Sequence, residues 1–227
     1  MRLRSYINER TSIYGAGITF MDIDETILKT HARVKIVKDG EVVARLRNHE
    51  YLKWVPKPGE EADFSEYSDA DVFYKTSDPI MPVIKRIQKM FKAIRRGESH
   101  SRIVIVSGRE DLTDKSKFLE TFRKFGVPID DIYVERCGNM PEALHNLPKV
   151  KKQVIFKYLS TGLYRRARLL DDSTANCQAF LELEEEMPEP IIKMMRKKYN
   201  IPEGEPVIDF YALKVLKDGS LQRITRK

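Results

Sequence analysis

The chain alternates short apolar runs with segments in which apolar residues recur every three or four positions. The runs have the length of strands buried on both faces of a sheet, and the recurring positions are typical of helices with one apolar face. The pattern predicts strands at 17–21, 102–106, 132–134 and 167–170, and helices at 83–94, 118–125 and 154–159. Because strands and helices alternate, we expect an α/β fold with a doubly wound parallel sheet and right-handed crossovers.

Two parts of the chain depart from this alternation. Between 29 and 77, apolar and polar residues alternate on both sides of the dipeptide Asp39-Gly40, which predicts a hairpin, and a loop without sustained periodicity follows. We interpret residues 29–77 as a cap or lid inserted into the core. Near the C-terminus, an alternating stretch at 207–213 precedes a second Asp-Gly dipeptide and predicts a terminal hairpin.

Length and composition indicate a soluble globular protein. The 227 residues predict a single domain spanning 1–227, and a composition of 41% hydrophobic and 33% charged residues excludes a disordered or fibrous chain. No apolar run approaches the about 18 residues of a membrane span, and residues 1–10 lack the apolar core of a secretory signal. Cys137 and Cys177 form no Cys-x-x-Cys pair, as is typical of a cytoplasmic protein with ordinary thiols.

Carboxylates follow two of the predicted strands at the point where each strand ends. Asp22 and Asp24 come after the first strand, Asp171 and Asp172 after the fourth, and Ser107 after the second. The carboxyl ends of parallel strands meet at one edge of the sheet, so we expect these side chains to converge. Four carboxylates at a buried edge repel one another unless a cation lies among them, and oxygen ligands without His or Cys favour Mg²⁺ over Zn²⁺. The sequence therefore predicts a magnesium site formed by the four aspartates.

The spacing of Asp22 and Asp24 is suited to phosphoryl transfer. A carboxylate nucleophile that forms an aspartyl phosphate divides the slow hydrolysis of a phosphate monoester into two easier displacements. A second carboxylate two residues later can protonate the leaving oxygen and then deprotonate the attacking water. Ser107 offers a hydroxyl, and a lysine before the fourth strand offers an ammonium, to hold the phosphoryl oxygens.

Four segments together resemble the motifs of the haloacid dehalogenase (HAD) superfamily of phosphohydrolases. They are Asp22-Ile23-Asp24-Glu25-Thr26, Ser107-Gly108-Arg109, Lys152 and Leu170-Asp171-Asp172, in the order and context found in that superfamily. The resemblance covers approximately residues 16–180. It implies an HAD-like Rossmannoid core and a Mg²⁺-dependent phosphatase activity. A single Asp-x-Asp segment, by contrast, is most often a turn or a helix cap.

The resemblance also implies a role for each of the four aspartates. Asp22 would be the nucleophile and a metal ligand, and Asp24 the general acid and base whose backbone carbonyl also binds Mg²⁺. Asp171 would be a metal ligand, and Asp172 a partner of the metal, in some cases through water. Taken alone, Asp171 and Asp172 would also suit the start of a helix near Thr174.

A second group of residues would bind the phosphoryl group if the resemblance holds. Ser107, Gly108 and Arg109 would contact the substrate phosphate together with Lys152, and Thr26 would shape the turn after the nucleophile and lie against the substrate. The alternatives to Lys152 are Lys149, Lys151 and Lys157, and the alternative for Arg109 is an ion pair with Glu110. The predicted lysine lies in the helix that precedes the fourth strand.

The nearer resemblance is to the 3′-phosphatase domain of polynucleotide kinase-phosphatases and to small HAD-type proteins of large tailed phages. It is carried by residues 106–110, the helix at 118–126, and Lys152 before Ile155-Phe156. It implies a nucleic-acid 3′-phosphate end or a nucleotide as substrate, and the net charge of +7 also favours anionic ligands. One alternative is a phosphatase of free nucleoside monophosphates or other small phosphate esters. Another is a non-catalytic module that binds nucleic acid or protein.

Aromatic residues in the cap offer a further candidate surface. Tyr51 and Trp54 lie near Lys53 and Lys57, a combination that single-strand binding proteins use to stack bases and contact phosphates. Aromatic residues of a hairpin cap more often pack onto their own domain. We therefore expect a packing role for Tyr51 and Trp54.

Overall fold

The computed structural model describes residues 15–51 and 53–226. The first ten residues, which carry the prediction about export, lie outside the described part. The first elements are β1 (Ala16–Met21), β2 (Leu28–Lys29), β3 (Val34–Lys38), β4 (Glu41–Leu46), α1 (Asn48–Tyr51), β5 (Glu60–Asp63), α2 (Ser65–Ser68), α3 (Ala70–Thr76), β6 (Asp78–Pro79) and α4 (Met81–Arg95). They are followed by β7 (Arg102–Ser107), α5 (Lys115–Lys124), β8 (Tyr133–Arg136), α6 (Ala143–Leu159), β9 (Tyr164–Asp171), α7 (Thr174–Glu186), α8 (Glu189–Tyr199), β10 (Asp209–Val215) and β11 (Leu221–Ile224).

The core of the protein is a six-stranded sheet with the strand order β11-β10-β9-β1-β7-β8. Strand β1 is central and pairs in parallel with β7 and β9, while β8 and β10 extend the parallel sheet on either side. Only β11 runs antiparallel, because it forms a hairpin with β10. The mainly parallel sheet and the terminal hairpin are both confirmed.

Both faces of this sheet carry helices. Successive residues of β1 point to opposite faces, so that Phe20 lies in one apolar cluster and Met21 in the other. On the Phe20 side, helices α6, α7 and α8 contribute, and the ring of Phe20 meets that of Phe180 edge-on at 6.5 Å. On the opposite side, Ile87 of α4 and Phe118 of α5 join Met21. Among the described helices, none has the length and apolar character required to cross a membrane.

The predicted cap region contains a separate three-stranded sheet and three short helices. Strands β3 and β4 form the predicted hairpin, with Asp39 and Gly40 in left-handed conformations at the turn (φ 52° and 81°). Strand β5 pairs with the other edge of β3, so the prediction of a simple loop after the hairpin is wrong. The sequence of β5 is acidic and lacks apolar alternation. It pairs with a basic strand instead, and Lys35 Nζ lies 3.5 Å from Asp63 Oδ2.

The carboxyl ends of β1 and β9 lie side by side at one edge of the central sheet. Met21, the last residue of β1, is in register with Leu170 of β9 and with Ile105 of β7. The backbone N–H of Asp22 donates to the Leu170 carbonyl at 3.0 Å. Asp22, which follows β1, and Asp171, the last residue of β9, are therefore neighbours although they are distant in sequence.

Candidate active site

A tight turn follows β1 and positions the first two aspartates. The carbonyl of Ile23 accepts the backbone N–H groups of Ile27 and Leu28 at 2.9 and 3.0 Å, so the chain folds back immediately after the strand. The Ile23 side chain is buried in the apolar cluster beneath α4, which fixes the turn to the core. Asp22 and Asp24 lie on either side of this anchor.

Three carboxylates converge at this edge. Carboxylate oxygens of Asp22, Asp171 and Asp172 all lie within 4.8 Å of one another. Asp22 is 6% exposed and Asp171 is fully buried, so their charges are poorly solvated. Carboxylate oxygens at this spacing are suited to a divalent cation with oxygen ligands, and the three aspartates form a candidate metal centre.

A buried lysine from α6 lies among these carboxylates. Lys151 Nζ is 2.9 Å from Asp22 Oδ1 and 2.8 Å from Asp171 Oδ2, and the Lys151 residue is 3% exposed. The contact with Asp171 is a hydrogen bond, whereas the contact with Asp22 is an ion pair without hydrogen-bond geometry. Lys151 therefore joins the ends of the two neighbouring strands, with its ammonium against the buried Oδ1 oxygen of Asp22.

The shape of α6 explains how Lys151 reaches the cluster. The helix is kinked at Asn146, which has extended dihedral angles (φ −153°, ψ 70°), and Pro148 follows in the next turn. The side chain of Asn146 caps the second part of the helix by accepting the Lys149 N–H at 3.1 Å. Lys151 consequently stands at the start of the second turn of a newly started helix, close to the sheet edge.

Burial and mutual repulsion shift the ionisation of the cluster. Burial raises the pKa of Asp22 well above its usual value, and Lys151 offsets this only in part because Asp171, Asp24 and Asp172 act in the opposite direction. Burial, and then repulsion by Asp171, raise the pKa of Asp172 to about 7. Although burial opposes the charge on Lys151, Asp171 and Asp22 hold its pKa above the usual value. With all three carboxylates ionised, the cluster would carry more negative charge than the one ammonium of Lys151 neutralises.

Asp171 is fixed by α7 as well as by Lys151. The Asn176 amide donates to both of its carboxylate oxygens, at 2.9 and 3.0 Å, and the Ser173 N–H donates to Oδ1 at 2.9 Å. Ser173, rather than an aspartate, is the N-cap of α7. The helix-cap alternative for Asp171 and Asp172 therefore does not describe their main contacts. Asn176 was not predicted from the sequence as a site residue. The available signal was its position five residues after Asp171, in the first turn of the helix that follows the strand.

Asp24 has a different environment from the other aspartates. Its carboxylate accepts three hydrogen bonds from Arg109, from Nε to Oδ2 at 2.9 Å and to Oδ1 at 3.2 Å and from Nη2 to Oδ1 at 2.7 Å, and a fourth from the Thr30 hydroxyl at 2.5 Å. Burial favours the neutral acid, but Arg109 and Thr30 outweigh it and lower the pKa of Asp24. The carboxylate of Asp24 therefore lies outside the group of three that could bind a metal. The prediction that its backbone carbonyl binds Mg²⁺ stays a prediction.

Arg109 connects the core to the cap. In addition to Asp24, its NH1 group donates to the Tyr67 carbonyl at 2.5 Å, and its guanidinium lies 4.7 Å from the Phe73 ring centroid. The residue is 4% exposed. The predicted alternative of a pair with Glu110 is not observed, since the carboxylate partner of Arg109 is Asp24. The predicted contact of Arg109 with a substrate phosphate stays a prediction.

The remaining predicted residues surround this edge. Ser107 ends β7, is fully buried, and its hydroxyl accepts the Arg109 N–H at 3.1 Å. A side chain at Gly108 would collide with Leu147, because a Cβ atom would lie 2.7 Å from its nearest methyl. Thr26 is fully buried in the turn after β1, and its hydroxyl has no hydrogen-bond partner in the described structure.

The lysine that the structure places among the aspartates is Lys151 rather than Lys152, the predicted phosphate-binding residue. Lys152 Nζ lies 2.8 Å from Glu182 and 2.7 Å from Glu186 of α7, outside the aspartate cluster. The sequence spacing already indicated Lys151. Residues four apart lie on the same face of a helix, and Lys151 is four residues before Ile155, so both side chains face the core, and both are buried.

Comparisons with known proteins identify no family for this chain. No family model matches it, and no curated protein matches it. Its function is therefore inferred from the geometry of the site.

Replacing the buried lysine should destabilise the protein, whereas replacing its neighbour should not. We expect Lys151→Met to lower the free energy of unfolding by about 3–5 kcal/mol, because buried carboxylates lose their partner. Lys152→Met is the matched control and should cost about 0–1 kcal/mol, as for other partly exposed ion pairs. Urea unfolding in the presence of EDTA measures both. Equal losses in the two variants would contradict the assignment of Lys151 to the cluster.

Proposed function

We propose that the protein is a Mg²⁺-dependent phosphatase of the HAD type that acts through an aspartyl phosphate on a nucleotide or a nucleic-acid 3′-phosphate end. The observation that carries the proposal is the position of Asp22. It lies within the group formed with Asp171 and Asp172, and its buried Oδ1 oxygen is paired with Lys151 at 2.9 Å. A carboxylate in this setting is suited to attack a phosphorus atom whose charge is shielded by a cation.

The donor set fits Mg²⁺ better than a softer metal. Asp22, Asp171 and Asp172 would hold the ion with oxygen ligands, and no His or Cys belongs to this group of residues. When bound, the ion would neutralise phosphate charge and allow two anions to approach each other. The raised pKa values of Asp22 and Asp172 are consistent with a site that needs such an ion in order to be fully ionised.

The residues of the chain divide the reaction into two displacements. In the first, a carboxylate oxygen of Asp22 forms a bond to phosphorus as the bond to the leaving oxygen breaks, and Asp24 gives that oxygen a proton. In the second, Asp24 takes a proton from a water molecule that attacks the same phosphorus, and Asp22 is released. Lys151, adjacent to Asp22, and the Ser107 hydroxyl would stabilise the phosphoryl oxygens during both steps.

The Arg109 pair favours one of the two roles of Asp24. Because the pKa of Asp24 is lowered, its carboxylate is ionised and ready to act as a base. To act as an acid it must first gain a proton, which becomes easier if the guanidinium of Arg109 moves from Asp24 to the substrate phosphate. This exchange would give Arg109 the predicted phosphate contact and would couple substrate binding to proton transfer.

A row of aromatic side chains leads from the cap surface to Asp24, and it supports a substrate with a nucleobase. The Trp54 ring stacks on Tyr51 at 5.8 Å, Tyr51 meets Phe64 edge-on at 5.0 Å, and Phe64 lies 6.3 Å from Tyr67. Tyr67 in turn lies 5.2 Å from the guanidinium of Arg109, the partner of Asp24.

This row is not part of the apolar core. None of its four members belongs to either buried cluster of the described residues, and Phe64 is 40% exposed. Tyr51 and Trp54 are half-buried, and their rings contact other rings of the cap. Lys53 and Lys57 are exposed beside them. Aromatic faces next to lysines provide stacking for a base and charge for a phosphate backbone.

Loss of the nucleophile should abolish activity. We expect Mg²⁺-dependent release of phosphate from an aryl phosphate by the wild-type protein, loss of this activity in EDTA, and a decrease of at least about a thousand-fold in Asp22→Asn. Asp39→Asn is the matched control, because Asp39 lies in the hairpin turn of the cap.

The same assay distinguishes the alternatives. Absence of turnover on a panel of phosphate esters would contradict the phosphatase proposal and favour a binding module. Equal activity of Asp22→Asn and wild type would assign the reaction to another residue. Faster turnover of free mononucleotides than of a 3′-phosphorylated oligonucleotide would assign the site to small substrates.

Removing the outermost aromatic ring should weaken binding of nucleotide substrates only. We expect Trp54→Ala to raise KM for a 3′-phosphorylated oligonucleotide by about 5-fold or more, because one stacked base contributes about 1–3 kcal/mol. KM for glycerol phosphate, which has no ring, should not change. Tyr133→Ala is the control, since Tyr133 is 46% exposed on β8 of the central sheet. An equal rise in KM for both substrates would contradict base stacking on the cap.

A further inference from the structure

One face of the central sheet is covered only in part. Helix α4 packs over β1 and β7, but the outer strands β9, β10 and β11 present polar side chains on this face. In the parallel register, Arg168 of β9 is opposite Tyr211 of β10, and both are half-buried. Arg166, two residues before Arg168, points to the same face and is exposed. Arg223 of β11 completes the row, with its guanidinium 5.2 Å from the Tyr211 ring centroid.

These arginines lack carboxylate partners. Within residues 15–51 and 53–226, Arg166, Arg168 and Arg223 form no ion pair, and neither does Arg86 on the adjacent side of α4. Asp209 is in register with Arg166 but does not pair with it. We call Arg86, Arg166, Arg168, Arg223 and Tyr211 the arginine face.

The close spacing of these arginine side chains is electrostatically unfavourable in the isolated protein. Burial lowers the pKa of Arg168, and the neighbouring charges of Arg86 and Arg166 lower it further. The only hydrogen-bond acceptor near its guanidinium in the described structure is the Met90 sulfur at 4.0 Å, a weak partner. Asp209 is in register with Arg166 but forms no ion pair with it, so the like charges of the arginines repel one another, and an anionic ligand would reduce that repulsion.

A groove runs beside the arginine face. A cavity of about 170 Å³ lies between α4 and the sheet, and Thr19, Ser101, Met90 and Arg168 are among its lining residues. It shares Arg166 with a larger cavity of about 910 Å³ at the amino edge of the sheet, whose lining includes the basic residues Arg165, His100 and Lys198 and the acidic residues Glu98 and Asp209. The cationic surface is thus elongated, extending from β11 past β9 to the sheet edge.

We propose that the arginine face binds the sugar-phosphate backbone of a single-stranded nucleic acid. Arg166 and Arg168 are about 6.6 Å apart along β9, a spacing close to that of successive phosphates in an extended single strand. Tyr211, which lies among the arginines, offers an aromatic surface to a base, and an open sheet face with aromatic residues is a known type of single-strand platform. An elongated row of charges suits a polymer better than a compact anion.

This surface is separate from the candidate active site. Arg168 precedes Asp171 by three residues, which places it about 10 Å along the strand from the aspartate cluster. The apolar residues Leu170 and Val215 lie between the two regions on this face. Binding to the arginine face therefore does not require a phosphate monoester and does not depend on the proposed phosphatase activity.

The test is binding of a short fluorescent oligothymidylate with a 3′-hydroxyl, measured by fluorescence anisotropy between about 50 and 200 mM salt. We expect the double variant Arg166→Ser/Arg168→Ser to bind at least about 5-fold more weakly. The salt dependence, the slope of log K against log salt, should become shallower by about 1.4, since each contact with a single-strand phosphate contributes about 0.7. Turnover of an aryl phosphate should not change.

Matched variants keep the result interpretable. Lys193→Ser/Lys197→Ser removes two exposed charges from α8, which packs on the opposite face, and should leave the slope nearly unchanged. Arg223→Ser alters an exposed side chain that the fold does not need, and should lower the slope by about 0.7 even if the double variant is unstable. Unchanged affinity in the arginine variants, or an equal loss in the α8 control, would overturn the proposal. Equal affinity for duplex and single strand would overturn the assignment to single strands.

Discussion

The site depends on one buried contact, the bridge that Lys151 makes between Asp22 and Asp171. These aspartates end two neighbouring parallel strands, and the register of those strands brings the carboxylates together before any ligand is present. Two buried carboxylates at this distance would otherwise strongly favour protonation. Lys151 compensates part of the charge and leaves the excess that a divalent cation would neutralise. The same contact keeps Asp22 in place without using all of its hydrogen-bonding capacity.

The cap and the core meet at Asp24 rather than at Asp22. Thr30, at the start of the cap region, and Arg109, after β7, both donate to the Asp24 carboxylate. Arg109 also donates to the carbonyl of Tyr67 in α2 of the cap. A movement of the cap would therefore change the surroundings of the proposed acid and base while the buried cluster around Lys151 stays fixed. Such an arrangement separates the proposed nucleophile, Asp22, from the proposed acid and base, Asp24.

Much of the fold could be predicted from sequence because its core strands are continuously apolar and end abruptly in acids. The convergence of Asp22 and Asp171 followed from the rule for parallel sheets and needed no knowledge of side-chain positions. Lys152 was predicted instead of Lys151 because four lysines lie close together, and only the spacing from the buried Ile155 distinguishes the one that faces the sheet. Strand β5 was missed because opposite charges, rather than apolar residues, hold it against β3. The pairing of Arg109 with Asp24 depends on tertiary contacts that no local pattern encodes.

The most direct test is chemical trapping of the phosphorylated residue. The protein would be mixed with Mg²⁺ and a phosphate ester, quenched in acid during turnover, and treated with borohydride, which reduces an acyl phosphate to an alcohol. Mass spectrometry of the peptides should then show homoserine in place of Asp22 and an unmodified side chain at Asp24, Asp171 and Asp172. Reduction at a different aspartate, or none at any residue during steady turnover, would contradict the role of Asp22 as the group that receives the phosphoryl.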